Sequence, residues 1–176
     1  MPLDGIALHA VTCELRQALV GGRVDRILQP EKDEIHLLVR SHGENYRLVL
    51  SASSNHARAH LTTVHKTNPL QAPMFCMLLR KRLIGGQIQS VEQPGLERIL
   101  EIGIAAADEL GVVSLMTLHT EIMGRHSNIL LTDERGQIVD CIKHIDEQKS
   151  RVREALPGLP YSYPPAQDRV NPLALE

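Results

Sequence analysis

A chain of 176 residues, 43% of them hydrophobic, can bury one substantial core or two closely joined lobes, and it lies within the single-domain range. Its net charge of −2 gives no global positive field to draw in nucleic acid, so an anionic partner has to be met by local patches. With no Trp, one Phe and three Tyr, it has no aromatic platform on which single-stranded bases would stack.

In chain order, Asp4 is placed to cap a first helix in which Leu8, Val11, Leu15 and Leu19 recur at helical spacing. Gly21-Gly22 ends that helix, because glycine accepts the left-handed conformation that a C-terminal cap wants. A short strand RVDRIL, a turn after Gln29-Pro30, a strand EIHLLVR, the turn SHGEN and a strand YRLVLSA follow. The stretch HARAHLTTVHKTNP then reads as a loop long enough to be functional or disordered. Pro73 opens a second helix, where a missing N–H costs nothing, with Met74, Met77 and Leu78 as its apolar side and Gly85-Gly86 as its end. The strands QIQSVEQ, RILEIGI and VVSLMTLHTEI come next, the last two separated by AADELG. A hairpin NILLTDERGQIVDCIKH turns at Glu134-Arg135-Gly136. The tail, with Pro157, Pro160, Pro164, Pro165 and Pro172, reads as extended linker.

Leu15–Ile35 and Leu79–Ile99 align without a gap at an offset of 64 residues, with eight of 21 positions identical. The matches fall on structural punctuation, Gly-Gly and Gln-Pro above all, which favours a duplicated unit. The expected fold is therefore α+β: two helix-plus-antiparallel-meander units whose sheets pack together. The domain is expected to span residues 1–155, with residues 156–176 a Pro-rich linker to further domains.

Cys13, Cys76 and Cys141 are odd in number and form no close pair, which fits neither a disulfide framework nor a thiolate zinc site. They suit buried thiols in a reducing cytosol. His56, His60 and His65 lack the tight spacing and the carboxylate or thiolate company of a zinc site, so no metal is expected. No basic leader and no run of 18 apolar residues occurs in the sequence, and neither export nor membrane spanning is expected.

Eight ordered strings, MPLDGIAL, GGRVDRILQP, NPLQAPMFCMLLRKRLIGG, QPGLERI, DELG, EIMGRHSNILL, IKH and LPGLPYSYPP, resemble the N-terminal domain of the NFACT family. That family includes bacterial RqcH proteins, long labelled fibronectin-binding protein A-like, and eukaryotic NEMF. The resemblance implies a cytoplasmic, non-enzymatic adaptor of ribosome-associated quality control. Such a protein binds large ribosomal subunits carrying stalled peptidyl-tRNA and recruits tRNA for mRNA-independent C-terminal tailing, with alanine in bacteria. No cofactor is implied. The family's tRNA-recruiting residues correspond to Asp4 and to the pair Glu97-Arg98, where a glutamate stands in place of the family's aspartate.

The same residues have plainer readings. Asp4 is explained by helix capping alone, and Glu97-Arg98 after Pro94-Gly95 by a solvated turn with a weak ion pair. In EIMGRHSN, Gly124 permits a turn and Asn128 suits local backbone satisfaction, whereas Arg125 and His126 exceed what a turn needs and point to an RNA-facing or ribosome-facing surface. Arg58 and Lys143 are further cationic candidates for that surface. The family domain in turn resembles the N-terminal domain of formamidopyrimidine-type DNA glycosylases, which attack with an N-terminal proline. Pro2 is present here, but Leu3 replaces the glutamate that follows in those enzymes, and glycosylase activity is not expected. A fibronectin-binding adhesin is disfavoured by the missing export signal.

Overall fold

The computed structural model describes residues 4–146 and 153–164. Helix α1 (Gly5–Leu19) starts where Asp4 caps it: the carboxylate accepts from the Ala7 N–H at 2.7 Å. Leu8, Thr12, Leu15 and Leu19 form its buried stripe, and Thr12 returns its hydroxyl to the Leu8 carbonyl at 2.7 Å. Gly21, with φ +91°, turns the chain out of the helix.

Strands β1 (Arg23–Glu31), β2 (Glu34–Ser41) and β3 (Glu44–Ser51) form the first meander. β1 extends past the expected end through Gln29-Pro30 to Glu31, its pairing with β2 is irregular between Leu28 and Glu31, and the turn expected after Gln29-Pro30 falls at Lys32-Asp33. β2 and β3 are joined by His42 and Gly43, both at positive φ, as a two-residue hairpin of that twist requires. A fourth strand, β4 (Arg58–Thr62), lies inside the segment read as loop and pairs with β3.

Helix α2 (Met74–Leu83) begins at Pro73 as expected, but its apolar side is corrected. Phe75, Cys76, Leu79 and Leu83 are buried, while Met74 and Met77 are exposed. The second meander contains β5 (Gln87–Glu92), β6 (Ile99–Ala107), β7 (Val113–Glu121), β8 (Asn128–Thr132) and β9 (Ile138–Cys141).

The two meanders do not form separate sheets packed on each other. They are one nine-stranded antiparallel sheet in the order β4-β3-β2-β1-β5-β6-β7-β8-β9, joined at β1–β5. The reason lies at the Gly-Gly pairs, where added Cβ atoms would collide: Gly22 faces Val39 Cγ1 at 2.8 Å and Gly86 faces Ile104 Cγ2 at 2.7 Å. Each helix end thus lies tight against the sheet, and the two strands leaving those ends meet edge to edge. Both helices share one core with the inner face of the sheet, and the fold is α+β. Leu159 and Tyr161 pack on a smaller cluster of Leu130, Ile138, Cys141 and Ala155, so the segment read as linker begins docked. Ala155 bridges Ile145, and Pro160 bridges Gln137. The rest of that tail, beyond Pro164, lies outside the described residues.

Candidate functional site

Asp4 and the Glu97-Arg98 pair, more than ninety residues apart in sequence, converge at one corner. Gly5 sits against the turn before β6 so closely that a Cβ there would collide with the Leu96 carbonyl oxygen. Gln93 fastens the two elements: its Nε2 donates to the Gly5 carbonyl at 2.9 Å and to the Glu97 carbonyl at 2.8 Å. Gly95, at φ +56°, and the Glu97 N–H, donating to the Pro94 carbonyl at 3.0 Å, shape the turn. Asp4 and Glu97 are exposed and Arg98 is half-buried. Sequence reasoning missed Gln93 and Gly5; the signal was Gln93 beside Pro94-Gly95, a turn-adjacent amide able to reach two carbonyls at once.

The stretch EIMGRHSN belongs to the same corner. The Arg98 carbonyl accepts from the Ile122 N–H at 2.8 Å, and a 3-10 turn at Gly124–His126 follows. Ser127 is buried with its Oγ accepting from the Met123 N–H at 2.7 Å, so it closes the turn. Arg125 and His126 are exposed. Asn128 is buried and spent on main chain: its amide nitrogen donates to the Lys143 carbonyl, and its oxygen accepts from the Ile129 and Lys143 N–H groups.

Lys143 is half-buried. Its Nζ donates to the Ala52 carbonyl at 2.7 Å, tying the far edges of the two meanders together, and burial pulls its pKa down. Both Asn128 and Lys143 therefore brace the fold through main-chain bonds. Arg58, half-buried at the start of β4 opposite Ser51, keeps its Nε buried without a hydrogen-bond partner.

Behind the corner lies a buried polar network that the sequence did not reveal. Glu121, 1% exposed, accepts a bidentate pair from Arg153 at 2.8 and 2.7 Å and a third bond from the Tyr161 hydroxyl at 2.8 Å. Burial works against the Arg153 charge, but the Glu121 carboxylate more than restores it. Burial, reinforced by Glu121, drives the Tyr161 pKa up. Tyr161 stacks on His119 at 4.0 Å. His119 Nε2 bonds Thr132 Oγ1 at 2.8 Å, and its Nδ1 lies 2.9 Å from Glu101 but out of line for a hydrogen bond. The signal, a glutamate inside the apolar strand VVSLMTLHTEI, was present but did not name its partner.

Among the described residues, one group, Asp140, Cys141 and His144, brings possible metal-ligand atoms within 4.8 Å of one another. Burial pushes the Cys141 thiol up to about 12, and that thiol donates to the Ala155 carbonyl. His144 already bonds Asp140 at 2.8 Å. A protonated thiol is a poor metal ligand. Of the three loop histidines, His65 lies against Arg47 and His60 against the Leu61 carbonyl.

A family model described as NFACT N-terminal and middle domains matches residues 4–176. The Rqc2 homolog RqcH of Bacillus subtilis is 43% identical over 98% of this chain, which spans 30% of that protein. The human ribosome quality control complex subunit NEMF is 28% identical over 86% of this chain, which spans 14% of it. The crystal structure of the N-terminal domain of the fibronectin-binding protein PavA from Streptococcus pneumoniae superposes with a TM-score of 0.94 at 41% identity, covering 99% of this chain and 65% of that one. Among the described residues, no helix is long and apolar enough to cross a membrane.

Proposed function

Because the chain belongs to the NFACT family, we propose that it is the N-terminal part of a cytoplasmic ribosome quality-control adaptor, and that its Asp4–Glu97–Arg98 corner recruits tRNA to stalled large subunits. The convergence of the three residues, held by Gln93 between Gly5 and Glu97, is the observation that supports this reading. Two exposed carboxylates beside a guanidinium offer acceptors for base amino groups and a donor fork for phosphate or guanine. Exposed Arg125 and His126 extend the same corner toward an RNA backbone.

Gln93 fixes the spacing of Asp4 and Glu97 through main-chain bonds, so the carboxylates are pre-positioned and less ordering is lost on binding. Peptide-bond formation in tailing would belong to the ribosome, with this domain acting by positioning. Glu97, one methylene longer than the family's aspartate, can still reach outward because its side chain is exposed.

The test is co-sedimentation of the full-length protein with free large ribosomal subunits, followed by sequencing of the co-purified tRNA. Enrichment of one tRNA class, alanyl tRNA in first place, is expected. Co-sedimentation without any tRNA enrichment would refute recruitment.

A further inference from the structure

The outer surface of the sheet is divided by charge. Strand register sets Arg23 opposite Arg40, Arg26 opposite Leu38, Leu38 opposite Arg47, and Arg47 opposite Thr62. Residues paired in register share a face, so four arginines project from the outer side of the first meander. The corresponding side of the second meander carries Glu92 and Glu101, with Glu121 on the same side but buried against Arg153 and Tyr161. A near-zero net charge conceals this division.

Arg26 and Arg47 line a cleft of about 410 Å³ together with His65, Asn45, Thr62 and Thr63. Its one carboxylate, Asp25, is engaged by the Arg23 Nε at 3.0 Å. Arg26 has no ion-pair partner among the described residues.

Arg47 is held unusually firmly. One terminal nitrogen donates to His36 Nδ1 at 2.9 Å and the other to His65 Nδ1 at 2.7 Å. A guanidinium only donates, so both imidazoles accept through Nδ1. The His36 Nε2–H then donates to Glu34, which in turn takes the Lys66 ammonium at 3.0 Å. This relay orients a guanidinium that still has unused N–H groups. Such support is what a rigid anion contact needs.

We propose that this cleft binds the phosphodiester backbone of RNA, on a face distinct from the Asp4–Glu97–Arg98 corner. Arg26 and Arg47 line the cleft from β1 and β3, and Arg40 of β2 flanks it, donating to Asn45 Oδ1 at 3.2 Å. A spread over three adjacent strands of about 10 Å suits a repeating charge, and the Thr62 and Thr63 hydroxyls suit ribose oxygens. The choice of RNA over an acidic peptide rests on the ribosome quality-control reading; the cleft itself does not.

The experiment follows the arginine Nε–Hε signals of the isotopically labelled 176-residue chain during titration with an oligouridylate, inorganic phosphate or an oligoglutamate peptide. Oligouridylate is expected to move the Arg26 and Arg47 signals. R26Q/R40Q is expected to reduce the log–log salt slope of binding by about 0.7 for each lost contact, while E97Q/R98Q leaves those shifts in place. Four results would overturn the proposal: signals unmoved by RNA, R26Q/R40Q binding as the parent does, oligoglutamate acting as strongly as RNA, or inorganic phosphate alone saturating the shifts equally. Loss of tRNA recruitment in E97Q/R98Q with the cleft shifts retained would separate the two surfaces.

Discussion

Val24 and Ile88 occupy equivalent places across the junction of the two meanders. The Val24 N–H donates to the Gly86 carbonyl at 2.9 Å, and the Ile88 N–H donates to the Gly22 carbonyl at 2.8 Å. Gly21 and Gly85 repeat the exchange, donating to the Ile88 and Val24 carbonyls, each at 2.8 Å. The 64-residue repeat is thus an internal twofold relation, with each half supplying the same donors and acceptors to the other, as in an isologous interface.

The junction tolerates no side chain at Gly22 or Gly86. Gly22→Ala would drive a methyl into Ser41 and Val39, and Gly86→Ala into Ile104, Leu83 and Ala106. Each is expected to cost about 1–3 kcal/mol in urea unfolding. Unchanged midpoints for both would show that the meanders are not joined this tightly.

The glycine pairs, the caps and the repeat were legible because each is local chemistry at a fixed position. The single sheet was not, since it depends on β1 meeting β5 across the repeat. β4 was hidden because its inward residues, Ala59 and Leu61, alternate with Arg58, His60 and Thr62 and are too few to signal a strand. The buried side of α2 was misread because MFCMLL is almost uniformly apolar, and only the sheet beneath selects Phe75 and Cys76. In the candidate site, Asp4, Glu97 and Arg98 came from a resemblance, whereas their convergence through Gln93 required the fold. The docked tail was missed because its proline content reads as linker while Tyr161 and Arg153 depend on Glu121 across the sheet.

Removing the partner of Glu121 leaves a carboxylate buried. Arg153→Met is expected to destabilise the chain by about 3–5 kcal/mol, and E121Q/R153M by much less, because the second change removes the stranded charge. Chemical denaturation of both variants decides this. Equal losses in the single and double variants would mean that Arg153 acts through packing alone.

Acidification should loosen the first meander. Burial holds the His36 pKa below its ordinary value of 6.5 despite Glu34. The Glu34 pKa lies below 4.5 because its bonds to His36 and Lys66 outweigh the opposing effect of burial. The unfolded chain therefore binds more protons than the native one as pH drops below 6.5. Stability declines from there toward the lower native value of His36, and further below 4.5 as Glu34 is protonated. Urea unfolding from pH 8 to 4 should show this slope, and H36Q should flatten its upper part. A flat parent profile would contradict the relay.

Asp4 combines a cap with an exposed charge, and two substitutions separate the roles. Asp4→Ala is expected to cost about 1 kcal/mol of stability, while Asp4→Asn retains most of the cap. If the carboxylate contacts tRNA, both should impair tRNA recruitment by the full-length protein. Full activity in Asp4→Asn with loss only in Asp4→Ala would reduce Asp4 to a structural cap.

The most direct measurement is tRNA recovered with large ribosomal subunits by the full-length protein carrying E97A/R98A, alongside thermal unfolding of the same variant. Glu97 is exposed and Arg98 half-buried, on a turn whose main-chain bonds, to the Gln93 side chain and to the Pro94 carbonyl, the substitutions leave in place. Unchanged unfolding with loss of tRNA and of tail synthesis is the expected result. Normal tRNA recovery and normal tailing by that variant would contradict the assignment of this corner.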